Sequence, residues 1–236
     1  MLHLGSVSLG GGHPRVAIAI QDVVEPDAIR VAGDNVVLEL RLDALSDQRP
    51  EALLGFVRRY VGFPLLATIR RREEGGGWKG TADERLACYE AVLPEVHAVD
   101  VEIGACDIAP EVVRMARAQG RLTIGSFHNF SETPDMDVLE GVHSQGRALG
   151  MEIVKVAARC NSREDVRRLA YFTLAHQHEQ VITIGMGAHG LASRIFFPAL
   201  GSLLTYTFLG QPTAPGQLNC EDTLKYLDVF YPEGCG

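Results

Sequence analysis

The sequence predicts a single (β/α)8 barrel domain spanning residues 1–236. Three observations carry that prediction. Eight short aliphatic or β-branched runs alternate with segments of helical spacing; the alternation fills about 220 residues with no repeat or long linker; and charged side chains recur at the C-terminal halves of the apolar runs.

In chain order, residues 3–9 alternate and end in Gly10, Gly11 and Gly12, which reads as a short strand closing the barrel bottom. Strands are expected at 16–20, 36–41, 65–70, 98–102, 121–127, 152–157, 181–185 and 202–206. Helices are expected near 25–31, 51–60, 82–93, 111–119, 137–149, 163–177, 191–198 and 221–230, the first of them short. Thr81 with Glu84, and Ser162 with Asp165, set a hydroxyl three residues before an acid, the spacing of a capping box at a helix start. An open, doubly wound sheet is the alternative compatible with the same alternation.

Composition narrows the function. Of 236 residues, 46% are hydrophobic and 22% charged, an ordinary globular balance. Thirty acidic residues against 22 basic ones leave a net charge of -8, and no basic run exceeds Arg70 to Arg72, so no nucleic-acid partner is expected. The N-terminus lacks a basic stretch followed by an apolar core, and no apolar run approaches the ~18 to 20 residues of a membrane span. A cytoplasmic protein without membrane association is expected. Cys88, Cys106, Cys160, Cys220 and Cys235 are scattered, with no CxxC pair and no neighbouring histidine at ligand spacing, so neither a disulfide framework nor a zinc site is expected.

The second expected strand is the informative one. Its alternation puts Leu38, Leu40 and Leu42 on one face and Glu39, Arg41 and Asp43 on the other. Both faces of a barrel strand are covered, so these charges either pair among themselves or hold a polar ligand. Arg70, Asp100, Glu102, His128 and Lys155 repeat the pattern at the strand ends where barrel active sites are built. Lys155, between Val154 and Val156, is the sharpest case: desolvation would lower its pKa and make the amine a nucleophile toward carbonyls, unless it reaches the rim to pair with Glu39 or Glu102. His128 would supply the proton chemistry such an amine needs.

Gly185 to Gly190 reads GMGAHG, a GxGxxG match, but in the seventh unit and with Thr205, Tyr206 and Thr207 where a ribose-binding acid would stand, so NAD(P) is not expected. These glycines instead suit a tight turn into a helix from about residue 191, with Ser193 and Arg194 in its first turn as an anion site for a carboxylate.

Taken together, Glu39-Leu40-Arg41-Leu42-Asp43, Thr68-Ile69-Arg70 with Glu74-Gly75-Gly76, Ser126-Phe127-His128-Asn129-Phe130, Lys155, Met186 through Ser193-Arg194, and Ala214-Pro215-Gly216-Gln217 resemble type I 3-dehydroquinate dehydratase in order and spacing. The resemblance runs from about Pro14 to beyond Gln217. It implies a barrel, usually dimeric, that performs the third step of the shikimate pathway, syn dehydration of 3-dehydroquinate to 3-dehydroshikimate, without metal or organic cofactor. It further implies Lys155 as the Schiff-base lysine, His128 as general acid and base, and Glu74 as the carboxylate orienting it. Arg194 and Gln217 would hold the substrate carboxylate, Glu39 and Arg70 the ring hydroxyls with Arg41 in support, and Phe130, Met186 and Tyr206 the apolar walls. Ala19 and Thr213 stand where the family often has serine, and Tyr206 where phenylalanine is frequent, differences that bear on affinity rather than reaction type. Another Schiff-base barrel lyase, such as a class I aldolase, and a non-catalytic acid-binding barrel are the competing readings. An intact Lys155, His128 and Glu74 argue against the second.

Overall fold

Side chains on a strand step inward and outward every second residue, and that step places the site in this molecule. The computed structural model describes residues 2–11, 13–30, 32–33, 36–210 and 217–232. In chain order its elements are β1 (Leu2–Leu4), β2 (Val7–Leu9), β3 (Arg15–Ile20), α1 (Pro26–Arg30), β4 (Val36–Arg41), α2 (Pro50–Arg58), β5 (Leu65–Thr68), α3 (Ala82–Val92), β6 (Ala98–Glu102) and α4 (Ala109–Ala118). There follow β7 (Leu122–Asn129), α5 (Met136–Ala148), β8 (Ile153–Arg159), α6 (Arg163–Ala175), β9 (Val181–Met186), α7 (Gly187–Gly190), α8 (Ser193–Phe196), β10 (Leu204–Phe208) and α9 (Cys220–Phe230).

The eight strands β3 to β10 form one parallel sheet in the order β10-β3-β4-β5-β6-β7-β8-β9, the nearly closed (β/α)8 barrel the sequence predicts. Across the seam, Leu203 N–H donates to Val181 O at 2.9 Å and Thr183 N–H to Ser202 Oγ at 3.0 Å. Outward-facing Leu38, Leu40, Val99, Val101 and Val154 pack under the helices, each fully buried. Burial of such a side chain stabilises the fold by about 1.5 to 3 kcal/mol. Both predicted capping boxes form: Glu84 N–H donates to Thr81 Oγ1 and Asp165 N–H to Ser162 Oγ, each at 3.2 Å.

Inside the barrel, Ala17, Val37, Leu66, Ala98, Ile124, Ile153, Ile182 and Leu204 make an apolar floor, and Leu4, Val7 and Leu9 plug it from below. The plug corrects one expectation. Residues 3–9 are not a single strand but the antiparallel hairpin of β1 and β2, because Gly5 takes a left-handed φ of 59° and turns the chain there. Two residues further along each strand comes a layer of Ala19, Glu39, Thr68, Asp100, Ser126, Lys155, Ile184 and Tyr206. Polar chemistry therefore begins one layer above a dry floor.

The seventh unit also departs from expectation. In place of one helix over 191–198 there are the single turns α7 and α8, followed by a 3-10 turn at Phe197–Leu200. Gly190 lies so close to β9 that a Cβ there would stand 2.3 Å from the Gly185 carbonyl carbon. Ser193 ties the two segments together, its Oγ accepting Gly185 N–H at 2.9 Å and donating to Gly190 O at 2.6 Å. That hydroxyl is spent on the backbone and does not face a ligand.

Candidate active site

The middle layer of the barrel brings opposite charges together from strands far apart in sequence. Lys155 Nζ lies 3.1 Å from Asp100 Oδ2 and 3.5 Å from Glu39 Oε1, and 4.0 Å from the centroid of the Tyr206 ring. Thr68 Oγ1 donates to the same Glu39 oxygen at 3.0 Å. These contacts correct the expected pKa. Burial alone would pull the ammonium down, but Tyr206 and the Glu39 and Asp100 carboxylates outweigh it and hold Lys155 above the usual lysine value. The amine is therefore protonated at rest.

Arg70 is the hub of a second set. Its NH2 donates to Asp100 Oδ1 at 2.8 Å and its NH1 to Ser126 Oγ at 2.5 Å, while Ser126 Oγ donates to Asp100 Oδ1 at 2.5 Å. Arg70 NH1 is also 3.2 Å from Glu102, whose second oxygen pairs with Arg85. β5 ends at Thr68, so Arg70 sits just past the strand rather than on it. Arg41 and Asp43 pair with each other, Nε to Oδ1 at 3.0 Å and NH2 to Oδ2 at 2.9 Å, and Gly77 N–H donates to Asp43. Of the two fates open to these charges, Arg41 at the end of β4 and Asp43 in the turn after it take mutual pairing, and Glu39 faces Lys155.

His128 lies within β7, which runs two residues further than expected. Its backbone N–H and its Nδ1 both meet Glu74 Oε2, at 2.9 and 3.1 Å, and Arg71 NH2 holds the other Glu74 oxygen at 2.9 Å. Glu74 reaches this position because the chain after it folds tightly: Gly75 has a φ of 76°, and a Cβ on Gly76 would stand 2.0 Å from Arg70 O. With Nδ1 engaged by the carboxylate, Nε2 is the basic nitrogen. Burial, then Arg70 and Lys155, hold the imidazole well below its ordinary value, so it is neutral at pH 7. Burial raises the Glu74 carboxyl, against the pull of Arg70.

Arg194 is 3% exposed and donates through NH1 to Tyr206 O at 3.2 Å. Burial pushes its guanidinium down to about 10, which an anion beside it would reverse. The Arg194 and Ile195 N–H groups already donate to Leu191 O and Ala192 O, so anion binding here falls to the guanidinium rather than to a helix N-terminus. Phe130 stacks on His128 with ring centroids 6.3 Å apart.

Glu39, Arg41, Arg70, Glu74, His128, Phe130, Lys155, Met186, Arg194, Tyr206 and Gln217 all line one cavity, joined by Gly75, Ala157 and Ile184. Thr213 and Ala214-Pro215-Gly216 lie outside the described residues. Sequence reasoning singled out Asp100 and Glu102 as oddities without giving them a place in the site, and it overlooked Arg85. The acids were visible in the alternation Val99-Asp100-Val101-Glu102; Arg85, on α3, carried no such signal. What the arrangement can do chemically is hold an anion, offer a primary amine to a carbonyl, and move protons through one imidazole.

Comparison with known proteins accords with that chemistry. A family profile described as type I 3-dehydroquinase matches residues 20–233. The 3-dehydroquinate dehydratase of Thermodesulfovibrio yellowstonii is 34% identical over 222 residues, covering 92% of this chain and 96% of the relative. That of a Hydrogenobaculum species is 31% identical over 219 residues, covering 92% and 99%. Among solved structures, 3-dehydroquinate dehydratase from Geobacillus kaustophilus superposes with a TM-score of 0.84 at 27% identity, covering 96% of this chain and 94% of the other.

Proposed function

Given that the chain belongs to the type I 3-dehydroquinase family and is a hydro-lyase with 3-dehydroquinate dehydratase activity, we propose that it works through a Schiff base on Lys155. The observation that carries this reading is the shared cavity lined both by the Lys155 amine and by a neutral imidazole whose Nδ1 is engaged by Glu74.

Substrate binding must first draw a proton from Lys155, since its resting partners favour the ammonium. The free amine adds to the ketone carbon, and the carbonyl oxygen leaves as water by accepting from His128 the proton that His128 took from Lys155, which gives an iminium. The iminium acidifies the neighbouring C–H; His128 Nε2 takes that proton, and the bonding pair moves into an enamine. The enamine expels the β-hydroxyl, which leaves as water by accepting the proton His128 carries. One base serving both steps on one face makes the elimination syn. Water then adds to the conjugated iminium, restoring the ketone as 3-dehydroshikimate and the amine as Lys155. The chemistry uses the chain's own groups and calls for no metal or organic cofactor.

In this reading Arg194 and Gln217 hold the substrate carboxylate, with Thr213 nearby, and Glu39, Arg70 and Arg41 serve the ring hydroxyls. Phe130, Met186 and Tyr206 form the apolar walls. Arg41 and Arg70 are matched by carboxylates, so the attraction for an anion in this acidic protein falls to the buried Arg194 guanidinium. The reaction is the third step of the shikimate pathway, in the cytoplasm, with 3-dehydroquinate rather than nucleic acid as partner. No helix of the described residues is long and apolar enough to cross a membrane. Exposed Phe196, Val229 and Phe230, on α8 and α9, support a homodimer.

The test is to mix purified protein with 3-dehydroquinate, follow the rise of the enone chromophore, and add borohydride during turnover. Activity should be lost with a mass adduct on the peptide containing Lys155. An unmodified Lys155 after complete inactivation would sink the covalent mechanism.

A further inference from the structure

On the outer side of the barrel, away from the cavity, two histidines converge on one carboxylate. His143 on α5 is 5% exposed, and His176, the residue that ends α6, is 8% exposed. Their rings lie with centroids 3.9 Å apart and planes tilted by 30°. His143 Nε2 is 3.5 Å and His176 Nδ1 is 3.4 Å from the same atom, Glu179 Oε2. All three atoms fall within 4.8 Å of one another. Both nitrogens are shut off from solvent, and neither makes a hydrogen bond among the described residues.

A single cation between the three atoms satisfies both nitrogens at once. Tetrahedral zinc, with Zn–N and Zn–O near ~2.0 to 2.2 Å, sets its ligands roughly 3.3 to 3.5 Å apart; both N···O separations fall on that edge, and the two rings, now 3.9 Å apart, would have to swing apart by about an ångström to aim both nitrogens at the ion. Two imidazoles with one carboxylate suit a borderline transition ion rather than calcium or magnesium, which take oxygen. The outer contacts fit as well. Glu140 Oε2 lies 2.9 Å from His176 Nε2, so the proton belongs on that nitrogen and Nδ1 is left as the ligand atom, the carboxylate–histidine–metal arrangement. Glu179, with 52% of its side chain exposed, opens the site to solvent for ion entry and for a water in the fourth position.

We propose that His143, His176 and Glu179 form a structural site for a divalent transition ion, zinc being the best match, with Glu140 as the outer carboxylate that fixes His176. The site would tie α5 to the end of α6 and to the link into β9. That link includes Gln180, the one non-glycine residue with positive φ among those described, whose carbonyl accepts Val154 N–H at the lower end of the lysine strand. It braces the scaffold from below and takes no part in the chemistry.

The experiment strips the full-length protein with a chelator and titrates it with cobalt(II) and zinc(II) chlorides, reading cobalt absorption, calorimetric stoichiometry and Tm. One equivalent of cobalt should give the intense visible bands of a tetrahedral site, zinc should displace it, and zinc should raise Tm by several degrees. His143→Gln and Glu179→Gln should each weaken zinc at least ~10-fold, and Glu140→Gln roughly 10- to 100-fold. Glu179 is exposed, so its variant reports on the site even if a histidine variant folds poorly, and its turnover should match the parent's. Less than one equivalent of metal bound, or an affinity unmoved by Glu179→Gln, would overturn the proposal.

Discussion

Lys155 Nζ lies 3.1 Å from Asp100 Oδ2, a contact between β8 and β6 across the middle layer of the barrel. With Tyr206 and Glu39, this carboxylate keeps the amine charged until a carbonyl arrives, so Asp100 shares control of when Lys155 becomes a nucleophile. In Asp100→Asn the ammonium loses a counter-charge and its pKa falls. The rate of borohydride trapping with substrate should then reach its plateau at lower pH than in the parent. A trapping profile that does not move would place that control on Glu39 instead.

His128→Ala should lower turnover by at least ~100-fold, with some imine formation retained because the nucleophile is a different group. The parent's kcat/KM should fall on the acid side as His128 takes up a proton. Since burial, Arg70 and Lys155 depress its pKa, that fall should begin below the ordinary histidine value of 6.5. An acid limb at or above 6.5 would contradict the assignment.

Glu102 is fully buried between Arg70 and Arg85 and also accepts Arg71 N–H at 2.9 Å. Glu102→Leu leaves two buried guanidinium groups short of a partner and should cost about 3 to 5 kcal/mol in denaturant unfolding. Burial raises this carboxyl, but Arg70 and Arg85 outweigh it, and its folded-state pKa lies below the unfolded one. Its contribution is therefore complete above the unfolded carboxyl's pKa and is lost as pH falls through the folded value. Denaturation midpoints measured from neutral to acid pH should fall less steeply in Glu102→Leu than in the parent.

Arg194→Lys replaces a planar fork with a point charge and should weaken substrate binding by ~1 to 3 kcal/mol, seen as a raised KM with the fold retained. Ala19, 1% exposed and in register with Glu39, stands where a hydroxyl would reach the same chamber. Ala19→Ser should lower KM in the parent and partly rescue Arg194→Lys. If KM responds to neither change, the carboxylate does not sit at Arg194.

The sequence by itself determined the barrel and most of its chamber, because both follow from local periods. Alternation over residues 38–41 sets Glu39 opposite Leu38 and Leu40, and once the strands close into a barrel the same two-residue step carries Glu39, Asp100 and Lys155 to the inner face. Only the tertiary structure decided what those groups meet. Asp100 and Lys155 are 55 positions apart, and their contact depends on β6 and β8 flanking β7 in register, which no local period encodes. Together with Tyr206 and Glu39, that contact reverses the pKa expected of a lysine between two valines, because these neighbours jointly outweigh desolvation. His143 and His176 show the same limit: each reads alone as a helix histidine, and only the docking of α5 on α6 brings the rings to 3.9 Å and turns both toward Glu179. Period is a property of neighbours along the chain, whereas charge pairing and metal geometry are properties of neighbours in space.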